Sequence, residues 1–570
     1  MVLLVPSKPS VVVVALLRCG WLAAAVSIAL VAFAPRASAQ TTPAPDDAAA
    51  AAPAPPAPAA DTAAAAAPAA PVPAVETADA REVAGYHNGT FFVQDKSQSF
   101  RMYLQGRVHA DWLDQFGPGT SSLPPGNGIT NGFFLRRARL ETGGELFREW
   151  QWQLSAEFSS ATSVDNAAAN QAQPTCTVSP TTAALTCTNR ESPVDNPTVK
   201  AIPTDVFVNY GPLPLANLEV GQFLVPFSLE NPLGDNTTPF LERSLAVRNI
   251  GVPLLRDLGA MLWGESPDQT FYYKIALING DGPNRPNVDS RYDVAGRVVV
   301  RPFVKTATTF TKWAQIGVSA RGGSRDPAAV GYDLPSLTTQ GGYAFWKATY
   351  KDSAGRTIHV MPSVTQWALA ADLYVPVDKF DFTGEFIYAV DDTREAADGL
   401  QLSPFTLRTG DLKGYGWYAQ LAYWIVGDQS VVGYPNFGRP VHLDLAQPQR
   451  PWKAGLQALG KFEQLHLTYR SASRGGTPDP LSPDGDIQVD AVELGLNYWL
   501  TRHLRVGLNY TLYVFPDSAP LTASEAGGPV QTSTQRAVAP AQLLAKGVDD
   551  SARDSAHTLN EVQVRVGVQF

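Results

Sequence analysis

From about residue 100 to Phe570, apolar and polar residues alternate along much of the chain. At the C-terminal end Val562, Val564, Val566, Val568 and Phe570 alternate with Glu561, Gln563, Arg565, Gly567 and Gln569. Leu504, Val506, Leu508, Tyr510, Leu512 and Val514 likewise share one face, with Arg505, Gly507, Asn509 and Thr511 on the other. Residues 150–158 and 291–301 repeat the pattern. A period of two is that of a β-strand with one apolar and one polar face. About sixteen such segments occur, starting near residues 101, 133, 149, 203, 217, 257, 270, 291, 312, 365, 380, 413, 452, 487, 503 and 558. Their connections mostly alternate between short and long; 161–202, 225–256, 322–364 and 516–557 are long. The exception is 426–451, which is long where a short turn is due. It marks either an insertion or a miscount of two strands.

Short turns on one side and long loops on the other are the pattern of a bacterial outer-membrane barrel. A soluble sandwich also alternates, so the direction of the apolar face decides between them. Trp and Tyr gather near strand ends, as at membrane interfaces. The opposite face carries Arg, Asp and Glu in numbers too high for a packed core. The chain ends on a strand closed by an aromatic residue, Phe570, which resembles the terminal signal for barrel assembly. The expected fold is all-β: a transmembrane antiparallel barrel of about sixteen strands, with a loop folded into the lumen.

The N-terminus reads as an export signal over 1–39, with Lys8 and Arg18, an apolar stretch from Trp21 to Ala34, and a small-residue cleavage site Ala37-Ser38-Ala39. Residues 40–99 read as a periplasmic linker rich in Ala and Pro, unable to bury a core. The barrel domain then runs 100–570. Cys176 and Cys187, ten or so residues apart in a polar loop of an exported chain, are candidates for a disulfide or for two free thiols.

Composition narrows the classes further. Charged residues are 17% of the chain, and no long apolar run follows residue 34, which excludes a polytopic helical membrane protein. The net charge of −9 argues against a nucleic-acid partner. Removal of Lys8, Arg18 and Arg36 with the signal takes it to −12. The seven His are scattered without metal-ligand spacing, and no nucleophile motif or glycine-rich phosphate loop occurs, so neither an enzyme nor a cofactor is expected.

Several segments resemble the phosphate-selective porin O and P family. They are Gly221-Gln222-Phe223-Leu224-Val225-Pro226-Phe227-Ser228-Leu229-Glu230, Leu241-Glu242-Arg243, the basic second strand Phe134–Leu140, and the closing hairpin around Gly495–Leu500 and Arg505–Tyr510. The resemblance implies a sixteen-stranded, trimeric outer-membrane porin that conducts phosphate or polyphosphate. This chain departs from the family at Leu224, where Lys is frequent.

Alternation turns Leu104, Val108, Ala110, Trp112, Phe134, Ala138 and Leu140 toward lipid. Arg107, Arg137, Arg139 and Arg565 then point inward from strands that become neighbours when the barrel closes. Arg291, Arg297 and Arg301, with Lys274 on the adjacent strand, form a second inward column. Arg243 and Arg248 lie on the long 225–256 segment, where a constriction loop is expected, with Glu230, Asp235 and Glu242 opposing them. Arg is planar, always charged and weakly hydrated, which suits an oxyanion path. The same residues also suit a wall-stiffening network with Asp111, Glu141, Glu157, Asp293 and Glu493. The acidic mature chain keeps a general or cation-leaning pore open as an alternative, and long loops keep an anchor or adhesin open.

Overall fold

A computed structural model of the chain describes residues 83–570 apart from 89, 98, 124–128, 130, 160–174, 179–184, 189–200, 236, 253, 307–310, 328–330, 352–356, 398–407, 436–452, 474–476, 479–484, 519–536 and 545. The export signal and most of the Ala/Pro segment lie outside these residues.

Sixteen strands form the barrel. They are β1 (Phe100–Phe116), β2 (Gly132–Leu146), β3 (Trp150–Glu157), β4 (Ile202–Leu213), β5 (Ala216–Leu224), β6 (Arg256–Glu265), β7 (Phe271–Ile278) and β8 (Asp293–Val300). The second half comprises β9 (Gln315–Arg325), β10 (Thr357–Val377), β11 (Phe380–Ala397), β12 (Arg408–Val426), β13 (Gly455–Ser473), β14 (Gly485–Thr501), β15 (Leu504–Val514) and β16 (Thr558–Gln569). Each pairs antiparallel with its sequence neighbour. β16 closes onto β1 in a register running from Asn560 opposite Phe116 to Gln569 opposite Arg107. Closure removes the free edges that a lipid environment does not tolerate. Phe570 continues the seam by exchanging two backbone hydrogen bonds with Gly106, of 2.8 and 3.0 Å. A Cβ at position 106 would stand 2.5 Å from the Phe570 ring.

The side chains settle which face is which. On β14, Val492, Leu494, Leu496, Tyr498 and Leu500 are exposed, while Glu493 and Asn497 between them are fully buried. On β16, Val566 and Val568 are exposed and Glu561, Gln563 and Arg565 buried. Apolar residues therefore clothe the outside and ionic ones the inside, the reverse of a soluble sandwich. Aromatic pairs such as Trp150–Tyr210 and Phe380–Tyr423, both with centroids 4.7 Å apart, sit on the outer surface beside the short turns, as an interfacial girdle does.

The short turns are tight. Phe147 and Arg148, between β2 and β3, both adopt positive φ, as does Asp378 between β10 and β11. Two connections on this side are longer, 301–314 and 427–454. Among the described residues sixteen strands form the barrel, the number expected, and the long 427–454 connection is the exception read from the sequence. Its start crosses to the β8–β9 connection, where Tyr434 stacks on Trp313 at 5.0 Å and the Pro435 carbonyl accepts from Arg301 at 2.9 Å.

Two further features differ from the sequence reading. Ala84–His87 and Thr90–Gln94, assigned to the linker, form a hairpin whose second strand pairs with Arg101–Leu104. It covers the start of β1, which projects beyond the end of β16. The lumen is also not polar throughout. Leu465, Leu467, Tyr469, Ile487, Val489 and Tyr513 point inward and pack with Leu245, Val247 and Ile250 of one loop and Leu337, Tyr343, Phe345 and Trp346 of another. There the inner face meets loop side chains instead of water.

Candidate functional site

The basic wall is built by an irregularity in β2. His109 of β1 lies opposite Arg137, and the next residue, Ala110, lies opposite Leu135, so Arg136 is an extra residue in the strand. Such a bulge re-aims side chains. Here it turns two consecutive residues, Arg136 and Arg137, into the interior, each 2% exposed. It also reverses the faces beyond it. Phe133 and Leu135 look outward, and the lipid-facing position expected for Phe134 is not observed. Alternation read from one strand alone passes over Arg136, because a bulge is defined only by the partner's register.

The segment between β5 and β6 reaches this wall and many other inward residues. Ser228 and Leu229 donate backbone N–H groups to Ser319 of β9 and Glu385 of β11, and Leu245 donates to Glu463 of β13. Asn497 of β14 and Arg505 of β15 donate to the Pro239 and Thr238 carbonyls, each at 2.8 Å. Two carboxylates of the segment become hubs. Asp235 meets Arg243 at 2.9 Å, Arg137 at 3.0 Å, Arg107 at 3.5 Å and Arg139 at 3.6 Å. Glu242 meets Arg565 at 2.6 Å, Arg136 at 2.8 Å, Arg137 at 3.5 Å and Arg248 at 3.7 Å.

Burial raises the Asp235 carboxyl, but Arg137, Arg243, Arg139 and Arg107 outweigh it and hold the group well below the usual carboxylate range. Burial likewise opposes ionisation of Glu242, and Arg136, Arg137, Arg565 and Arg248 overcome it. Three wall acids complete the cluster: Glu141 with Arg107, Glu157 with Arg139 at 3.1 Å, and Asp111 with Arg565 at 2.7 Å. Among the described residues seven guanidiniums thus meet five carboxylates, leaving two positive charges in excess.

Arg107, Arg137, Arg139 and Arg565 therefore stand together, joined by Arg243 and Arg248 and by Arg136. The second column is less complete. Arg297 forks onto Asp372 through bonds of 2.5 and 2.9 Å, with Lys274 directly opposite it in register. Arg301 lies at the far end of the strand, donating to Gln315 and the Pro435 carbonyl. Arg291 does not belong to the column. It precedes β8, is exposed and donates to Ser324. Asp293 and Glu493 pair with Arg325 and Lys461 instead of the candidate cations. Cys176 and Cys187 are register partners in a separate hairpin, Thr175–Val178 with Leu185–Thr188.

The family model described as phosphate-selective porin O and P matches residues 103–543. No curated protein matches the chain. Among solved structures, the outer membrane channel DcaP of Acinetobacter baumannii is similar at 11% identity and TM-score 0.42, over 84% of this chain and 99% of that one. In-vitro folded OmpT of Vibrio cholerae, solved in a trimer form, is similar at 8% identity and TM-score 0.39, over 83% and 100%. With most of the barrel inside the matched region, the chain belongs to the phosphate-selective porin O and P family and resides in the bacterial outer membrane.

Proposed function

We propose that the barrel is a passive pore for small anions, with phosphate or polyphosphate as preferred solutes. The observation that carries this reading is the excess of two guanidiniums where the β5–β6 segment meets β1, β2 and β16. Each guanidinium carries five N–H donors in a planar fork, and those of Arg243 and Arg565 are shared between the carboxylates and loop carbonyls. An oxyanion passing the wall is drawn by the net positive charge and replaces part of its hydration shell with bonds from these forks. Several such contacts in series, each shared with a fixed carboxylate, favour entry without trapping.

The pore works by diffusion and is a conduit, not an enzyme. The mature charge of −12 favours cations over long range, but screening confines exposed charge to about 8 Å at physiological ionic strength, and ions respond mainly to the narrow site. Subunits assemble as trimers in this proposal. Single-channel reversal potentials in a KCl gradient, with phosphate then titrated against the chloride current, test the reading. It expects anion preference and phosphate block; a cation-selective reversal potential would refute it, and absence of any conductance would favour an anchoring role.

A further inference from the structure

A cavity of about 170 Å³ opens on the long-loop side, between the 225–255, 279–292 and 326–356 connections and the inner ends of β9–β11. Its chemistry differs from that of the basic wall. Among the described residues four Arg and five Asp line it, a balance of one negative charge, with Arg248 shared with the basic wall. All four Arg hold contacts in the fold. Arg325 forks onto Asp293 at 2.6 and 2.9 Å. Arg321 donates to the Gly251 carbonyl at 2.7 Å and faces Asp391 at 3.5 Å. Arg248 donates to the Thr339 and Gln340 carbonyls besides meeting Glu242.

Of the other charges, Asp333 faces His359 at 2.9 Å and Asp289 accepts backbone N–H groups from Arg291 and Asp326, while Arg285 and Asp281 are arranged differently. Arg285 lies over the Tyr332 ring, 4.1 Å from its centroid, and donates to the backbone carbonyl of Asp281. Asp281 itself is 9% exposed. Its carboxylate accepts one backbone N–H, from Val288 at 3.2 Å, and among the described residues no ion pair engages it. A carboxylate has about four acceptor sites, so this one is under-used. Burial pushes the Asp281 carboxyl up to about 6, against the pull of Arg325. Such a group is stabilised by a counter-charge brought from outside. Leu254, Leu255 and Leu334 supply an apolar lining beside the two charges.

We propose that this cavity is an entry site for a small zwitterion of the α-amino-acid type with an apolar side chain. The ammonium is received by Asp281, the carboxylate by Arg285, and the apolar body lies against Leu254, Leu255 and Leu334. A net negative lining disfavours inorganic phosphate here, so the cavity and the basic wall select different solutes. Binding stands apart from the anion-pore reading; only onward passage rests on it, the carboxylate next meeting the positive wall.

The test is planar-bilayer recording on the full-length protein with L-leucine added on the long-loop side. Two probes carry one charge each, leucinamide without the carboxylate and 4-methylpentanoate without the ammonium. L-leucine is expected to interrupt the chloride current at a concentration about tenfold lower than either. Asp281→Asn should raise that concentration about tenfold, with heat-modifiable mobility on gels reporting an intact barrel. The analogue comparison needs no variant, so a folding defect leaves the proposal testable. Failure of L-leucine to interrupt the current, equal potency of either analogue, or indifference to Asp281→Asn would each overturn it. Phosphate block missing while L-leucine block persists would refute the anion reading and support this one.

Discussion

Replacing Arg137 and Arg139 together by Gln tests the basic wall most directly. Arg137 touches both hubs, at 3.0 Å from Asp235 and 3.5 Å from Glu242, and Arg139 bridges Asp235 and Glu157. The double change takes the local balance from two positive charges to none. Gln keeps amide N–H groups for Glu157 and Asp235, and Asp235 retains Arg243 at 2.9 Å and Arg107 at 3.5 Å, so the loop stays anchored. A unit charge about 6 Å from a passing anion is worth roughly 0.7 kcal/mol at the dielectric of water and roughly 2.8 kcal/mol at an effective dielectric of 20. Arg137 and Arg139 are 2% and 6% exposed, so the lower figure, which holds for an ion felt across lumen water, is the minimum. Two charges then contribute at least about 1.4 kcal/mol, which is at least about a tenfold fall in the anion-to-cation permeability ratio.

The assay is the reversal potential of single channels in a KCl gradient, paired with heat-modifiable mobility on gels to confirm a folded barrel. A folded double variant that keeps the full anion preference would refute the reasoning. It would show that these guanidiniums stiffen the wall without touching the ion's path.

Three further outcomes are expected. Gly221 sits at φ +139°, and a Cβ there would stand 2.2 Å from the Val206 carbonyl oxygen; Gly221→Ala should cost at least about 1 kcal/mol, read as a lower denaturation temperature, and an unchanged value would discount the close approach. Because Asp235 and Glu242 have depressed folded-state pKa values, their contribution to stability is present above the unfolded pKa and is lost only as pH falls through the lower folded value. The loop anchoring that these two acids provide should therefore hold through the ordinary carboxylate range near pH 4, and a conductance step from a released loop there would contradict it. Cys176 and Cys187, opposite each other in their hairpin, should form a disulfide in the exported protein; intact-mass measurement before and after reduction decides, and an unchanged mass would mean free thiols.

What the alternation could and could not reveal follows from its physics. A period of two separates two faces of a strand, so the outward run Val492 to Leu500 and the inward Arg565 were legible, and neighbour order in a closed barrel then placed Arg107, Arg137, Arg139 and Arg565 together. The same signal fails wherever the phase slips. Arg136 was hidden by the β2 bulge. Periodicity puts the start of β10 near 365 instead of Thr357 because its register shifts between Pro362 and Gln366, which breaks the alternation there. Nor does periodicity say what an inner face meets. Lys461 and Glu463 point into the lumen like Leu465 and Leu467 two turns of the pleat further on, yet the first pair is ionic and the second packs against a loop. The hubs Asp235 and Glu242 were legible as acids near Arg243, but their fourfold sharing depends on the path of a segment with no period at all. Strand pattern thus fixes the wall of this pore, while its charge balance is decided by one bulge and one loop, the two kinds of structure that a period cannot encode.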